Sequence, residues 1–158
     1  TEKGINQLGV LIMEVYKKIV VPYDGSTHSQ LALEHAAFLA KLSGGTISVL
    51  YVASLTSAAT RISGFFGNYD AGAVADRVRE KGEEILHKAK ATIPAEIATE
   101  ELFEVGSPGA VITDVAERVG ANLIVMGSRG LGTFAGVALG SVSTYVLEHT
   151  KIPVIVVK

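Results

Sequence analysis

The sequence predicts an α/β fold, a single open five-stranded parallel sheet with helices on both faces. Three observations carry that expectation. Five short apolar runs alternate with helix-spaced segments from Tyr16 to the end of the chain. Four of these runs are apolar nearly throughout rather than at every second position, the mark of strands covered on both faces. Turn residues, rather than long connections, separate most of the segments, which favours right-handed crossover units and parallel pairing. The composition agrees: of 158 residues, 48% are hydrophobic and 19% charged, more apolar than an average soluble domain.

Taken in order, Lys18-Ile-Val-Val-Pro22 is an apolar run closed by proline and predicts a buried first strand. Hydroxyls at Ser26 to Ser29 are placed to cap a helix, and Leu31, Leu33, Ala36, Ala37, Leu39, Ala40 and Leu42 follow at helical spacing. Gly44-Gly45 ends it. Thr46 to Val52 is the second strand, and residues 54–70, rich in Ser, Gly, Ala and aromatics, predict a mobile loop. A polar helix is expected over about Ala73 to Ala91, with Val74, Val78, Ile85 and Leu86 inward and Glu80, Lys81, Glu83, Glu84 and Lys88 in water. Ile97 to Val105 mixes apolar and acidic residues, as an edge strand with one solvated face would. Ser107-Pro108 opens a third helix, with serine at its cap and proline in its first turn. Leu123 to Met126 is the fourth strand, Ser141 to His149 the fourth helix and Pro153 to Val157 the last strand.

Several classes of function are excluded. The net charge is −2, and no basic cluster stands out. A nucleic-acid or anionic-membrane surface requires a concentrated positive stripe, so neither partner is expected. With no cysteine in the chain, disulfides, thiol catalysis and cysteine-bound zinc are ruled out, which suits a cytoplasmic protein. No apolar run approaches the roughly 18 to 20 residues that span a bilayer. Residues 1–12 precede Met13 without the pattern of a signal peptide and are expected to be a leader, leaving 13–158 as one domain.

The chemistry concentrates in two loops. The first runs from Gly127-Ser-Arg-Gly130 through nine residues to Gly140-Ser141. Glycines let backbone amides approach an anion closely because no Cβ intervenes. The pattern starts where a buried strand ends and finishes where a helix begins, so the amides and the positive end of that helix favour phosphate. Ser141, Ser143 and Thr144 add hydroxyls, and Arg129 adds a charge. The alternative is a plain glycine-rich turn. A Walker loop is absent, because no lysine stands beside Gly140-Ser141. Gly130-Leu-Gly-Thr-Phe-Ala135 matches the dinucleotide fingerprint in form only, since no acidic residue ends a following strand. There is no Gly-x-Ser-x-Gly elbow.

The second loop, Pro22-Tyr23-Asp24-Gly25-Ser26, closes the first strand. Asp24 can accept hydrogen bonds from ribose hydroxyls or a base amino group, or it can simply form an Asp turn. Topology favours the first role. If the strand order is 3-2-1-4-5, strands one and four are neighbours and both loops flank one crevice at their carboxyl ends. His28, His35, His87 and His149 have no metal-ligand spacing. Phe65, Phe66 and Tyr69 are candidates to cover a ligand.

At these residues the chain resembles the universal stress protein family, in its ATP-binding branch. The resemblance runs from Val15 to Lys158. It rests on Lys18-Ile-Val-Val-Pro-Tyr-Asp-Gly-Ser26, Val52, the full Gly-x2-Gly-x9-Gly-Ser pattern and the terminal Pro-Val-Ile-Val-Val157. It implies a Rossmann-like sheet of order 3-2-1-4-5, similar to the adenine-nucleotide α-hydrolases, and a homodimer through the last strand, Pro153 to Val157. It also implies that Pro22, Tyr23, Asp24 and Val52 hold adenosine by side chain or backbone. Gly127, Gly130, Gly140 and Ser141 would then hold phosphates, with Met126 and Val142 as neighbours, while Arg129 stands at a variable position. The implied ligand is ATP, with Mg²⁺ or Mn²⁺ carried by the nucleotide rather than by a protein cage; some relatives prefer cyclic AMP.

The function so implied is a regulatory nucleotide binder acting in a stress response through an unidentified protein partner. Hydrolysis should be slow at most, since no base is poised to activate water and no arginine finger is evident. A phosphorylated receiver domain would need an acidic cluster in the first loop and an Asp at the end of strand three, where this chain has a lone Asp24 and Gly106. A small adenylating enzyme would need a second substrate site, for which a chain of this length leaves little room.

Overall fold

The computed structural model describes residues 15–54, 71–131 and 138–158. Strand β1 (Lys18–Pro22) lies at the centre of the sheet, and Ile19, Val20 and Val21 have no exposed surface. Successive side chains of a strand point to opposite faces, so three apolar residues in a row need cover on both sides. Ile19 and Val21 pack into one core with helices α1 (Thr27–Ser43) and α2 (Ala71–Ala91). Val20 packs into a second core with α3 (Pro108–Arg118) and α4 (Ser141–His149). Strand β4 (Leu123–Gly127) divides its residues the same way: Leu123 and Val125 face the first core, Ile124 and Met126 the second.

The five strands pair in parallel in the order β3-β2-β1-β4-β5, with β2 spanning Thr46–Ala53, β3 Thr99–Val105 and β5 Val154–Val157. Register places Pro22 opposite Leu50 on one side of β1 and Val20 opposite Ile124 on the other. The predicted fold class and strand order are both present. No helix among the described residues is long and apolar enough to cross a membrane.

The helix ends follow local chemistry. Ser26 is the N-cap of α1, and its hydroxyl accepts from the Ser29 amide at 3.2 Å. Gly44 closes α1 in the left-handed conformation, φ 62°, which glycine adopts without strain. At Gly45 a Cβ would stand 2.4 Å from the Tyr16 carbonyl oxygen, so no larger residue fits there. Ser107 occupies the N-cap of α3 as expected, but its side chain makes no capping bond; Pro108 alone carries the signal.

Two expectations need correction. The inner face of α2 is Gly82, Leu86 and Ala89, while Val74, Val78 and Ile85 are only half-buried. Gly82 lies against the edges of Phe103 and Tyr51, which lets α2 settle low over the outer strands. In addition, β3 starts at Thr99, with Ile97 buried in the preceding turn, and neither of its faces is fully solvated. Its acids are paired instead: Glu101 with His87 and Lys90 from α2, Glu104 with Arg118 from α3. Edge position, not a wet face, accounts for its charge.

The two-core arrangement makes burial the predictor of stability. Leu86→Ala, at a site 2% exposed, should lower the free energy of unfolding by about 2–5 kcal/mol. Val78→Ala, at a half-buried site, should cost about 1 kcal/mol or less. Urea denaturation of both variants checks the order.

Candidate functional site

Strands β1 and β4 pair at Ile19 with Leu123 and at Val20 with Ile124, and then stop pairing, although both continue. The reason is Pro22. Along β1 the even-numbered residues turn their backbone groups toward β4, as the bond from the Asn122 amide to the Lys18 carbonyl shows, while Tyr23 donates to Leu50 of β2. The next amide owed to β4 is that of residue 22, and proline has none. The hydrogen-bonded ladder ends there, and the helices that follow the two strands lie on opposite faces, which leaves a crevice at the carboxyl ends.

A cavity of about 370 Å³ occupies that crevice, within the range of roughly 300–1,000 Å³ usual for small-molecule sites. Pro22, Tyr23 and Asp24 line it from the first loop, and Val52 from the end of β2. Met126, Gly127, Arg129 and Gly130 line it from β4 and beyond, and Gly140, Ser141, Val142 and Ser143 from the start of α4. The residues expected to hold a nucleotide therefore meet in one place, while Thr144 is not among the lining residues. Residues not foreseen also line it: Leu50, Ser29, Ser128, Leu131, and Pro108 and Ile112 of α3. Ser128 lies inside the glycine pattern and is legible there; nothing in the local sequence says that α3 begins against the crevice.

One wall is apolar, formed by Leu50, Val52, Ile112 and Met126, and the polar groups gather opposite the ends of β1 and β4. Asp24 serves as a turn residue and as more. Its Oδ1 accepts from the Ser26 amide at 2.9 Å, and its Oδ2 accepts from the Leu131 amide at 3.0 Å, tying the two loops together. A Cβ at Gly130 would lie 2.5 Å from that Oδ2, so glycine at 130 is what allows the tie. The Tyr23 side chain turns away toward α1: its hydroxyl donates to Gln30 Oε1 at 2.8 Å and its ring joins the first core. Burial, and then the neighbouring Asp24 carboxylate, push the Tyr23 phenol above its ordinary pKa, so it stays a neutral donor.

The glycine pattern divides its work. At Gly127 a Cβ would come within 2.8 Å of the His28 backbone, so this glycine admits the first turn of α1. Gly140 donates its amide to the Ser128 carbonyl at 2.7 Å, and its own carbonyl accepts from the Ser143 and Thr144 hydroxyls. Those two hydroxyls, expected as ligand donors, are used to fasten the start of α4. What remains for a ligand is different. Gly140 caps α4 without a side-chain acceptor, leaving the first-turn amides uncapped. Ser128 Oγ and Arg129 Nε are buried and have no hydrogen-bond partner among the described residues. Arg129 Nη2 lies 3.4 Å from His28 Nε2. The arrangement is suited to an anion, held by amides, the Ser128 and Ser141 hydroxyls and one guanidinium, beside an apolar wall.

Among the described residues no group of three His, Asp or Glu gathers to hold a metal. Phe65, Phe66 and Tyr69, and residues 132–137 of the glycine-rich loop, lie outside the described residues.

Comparison with known proteins bears on this site. A sequence profile of the universal stress protein family matches residues 15–158. Universal stress protein MJ0531 of Methanocaldococcus jannaschii is 35% identical over 150 residues, covering 91% of this chain and 83% of that protein. A universal stress protein solved in complex with cAMP superimposes with a TM-score of 0.69 at 29% identity, covering 92% of this chain and 99% of the other. The universal stress protein of Archaeoglobus fulgidus in complex with dAMP superimposes with a TM-score of 0.65 at 29% identity, covering 91% and 99%.

The fit at Gly127 generates a prediction independent of any ligand. Gly127→Ala should destabilise the protein by about 1–3 kcal/mol through overpacking against backbone that cannot yield. Thermal unfolding without ligand measures it.

Proposed function

Because this chain belongs to the universal stress protein family, we propose that it binds an adenine nucleotide, ATP foremost, in the crevice between β1 and β4. The observation that carries the reading is the single cavity in which the Asp24 loop, the glycine pattern and the uncapped start of α4 converge. The adenosine lies along the apolar wall of Leu50, Val52, Ile112 and Met126, with Asp24 facing its hydroxyls or amino group. The phosphates lie over Gly130 and the first turn of α4, where backbone amides compensate their charge without a Walker lysine. The residues fit the ligand: the free donors are those an anion uses, and the wall is apolar and broad. A divalent cation travels with the nucleotide, because among the described residues that line the cavity Asp24 is the single carboxylate.

Cyclic AMP is the second reading, supported by the related structure that holds it. In both readings the protein is a regulatory binder. Asp24, the carboxylate at hand, already accepts two backbone amides and is poorly placed to activate water. Two copies pair along β5, an edge strand on which alternation turns the backbone groups of Val154 and Val156 outward, away from β4.

Two measurements test these statements. Calorimetry with ATP, ADP, AMP and cyclic AMP should show ATP binding, weakened by about 1 kcal/mol in Ser141→Ala and about 1–3 kcal/mol in Asp24→Ala. Failure of every adenine nucleotide to bind, or turnover above about 1 per second, overturns the reading. Sedimentation should show a dimer that Val156→Pro, which removes one outward amide, converts to monomer. A wild-type monomer at high concentration would discard the β5 interface.

A further inference from the structure

We infer that Arg129, held from behind by His28, makes the site selective for a nucleoside polyphosphate over a monophosphate or a cyclic monophosphate. The inference rests on the adenine-nucleotide reading above and goes beyond it. The glycine pattern leaves position 129 open, and His28 is not among the cavity-lining residues.

The charge state of the cavity carries the case. Among the described residues Arg79 and Arg118 each pair with a glutamate, whereas Arg77 and Arg129 have no carboxylate partner, and of these two only Arg129 lines the cavity. Asp24, the carboxylate of the same cavity, directs its two oxygens to the amides of Ser26 and Leu131. A guanidinium keeps its charge at any physiological pH and carries five donors in a rigid fork. Here its Nε is buried and has no partner among the described residues, an arrangement that is costly until an anion meets it.

The surroundings explain how it is aimed. The missing side chain at Gly127 lets the His28 backbone approach to within 2.8 Å of where a Cβ would be, so the first turn of α1 sits directly behind residues 127–129. That brings His28 Nε2 to 3.4 Å from Arg129 Nη2. A contact that long is weak; it orients the guanidinium without neutralising it. His28 is a positioning residue acting through Arg129.

Two kinds of donor then divide the ligand. The first-turn amides of α4 and Ser128 Oγ, which belongs to a residue 1% exposed and has no partner among the described residues, offer partial charges that any phosphate satisfies. Arg129 offers a full charge, whose contribution grows with the charge it meets. A phosphomonoester carries roughly −1.5 to −2 at neutral pH, a cyclic diester less and a polyphosphate chain more. Selectivity for the longer chain follows from that one side chain.

Calorimetry at fixed salt, with ATP, AMP, cyclic AMP and inorganic tripolyphosphate, tests the inference. Arg129→Met should weaken ATP and tripolyphosphate roughly 10- to 100-fold while AMP and cyclic AMP change less than about threefold. Arg129→Lys, which keeps the charge and loses the fork, should fall between. His28→Leu should shift the ATP-to-AMP ratio in the same direction, and His28→Gln, which keeps an acceptor for the guanidinium, should restore it. Equal losses for all four ligands, or none, overturn the inference and leave the nucleotide reading standing. Tripolyphosphate binding that depends on Arg129, without binding of any nucleotide, overturns the nucleotide reading and leaves the anion subsite. If the wild type binds none of the four, both fall.

Discussion

The site depends on a divergence at the centre of the sheet, where the helices that follow the neighbouring strands β1 and β4 take opposite faces: α1 packs on the core of Ile19 and Val21, α4 on the core of Val20. Pro22 stands where β1 owes β4 an amide, and its ring nitrogen carries no proton. The hydrogen-bonded ladder between the two strands therefore ends after Val20 and Ile124. The crevice lies where the ladder ends and the helices diverge. Every group that lines the cavity is placed relative to that opening.

Within the crevice, the glycines do three different jobs. Gly127 yields space to the first turn of α1, Gly130 to the Asp24 carboxylate, and Gly140 makes the turn that starts α4. The first two are steric requirements of the protein itself, present before any ligand is considered. This explains how one pattern can be both structural and functional. The same close approaches that let α1 and the Asp24 loop pack tightly also bring backbone amides and Arg129 to one anion-sized spot.

The Asp24 carboxylate shows why the two readings of a residue need not compete. It forms the turn that a chain reading Asp-Gly-Ser suggests, through the Ser26 amide, and it also reaches across the crevice to Leu131. The second bond joins residues far apart in the chain, so no local pattern announces it. Ser143 and Thr144 illustrate the opposite case. Their hydroxyls read as ligand donors, but once the chain folds Thr144 donates to the Gly140 carbonyl and Ser143 has the Gly140 and Ser128 carbonyls at equal distance. Acceptors of the protein itself settle that competition.

The sequence by itself determined the strands, the helices and their parallel arrangement, because two-sided burial, helical spacing and capping are local or periodic properties. Ile19 to Val21, Leu123 to Met126 and Ser26 with Gly44 were legible for that reason. It also pointed to the two loops, since Pro22, Asp24 and the glycine spacing lie next to strand ends. Only the tertiary structure decided which hydroxyls and amides stay available, that His28 stands behind Arg129, and that Pro108 and Ile112 of α3 close one side of the cavity. It likewise decided that Gly82, not Val78, faces the outer strands, because contact there is set by how low α2 sits over Phe103 and Tyr51. Such facts depend on distances between segments far apart in the chain. Those distances are fixed by packing of the whole, which no single stretch of sequence encodes.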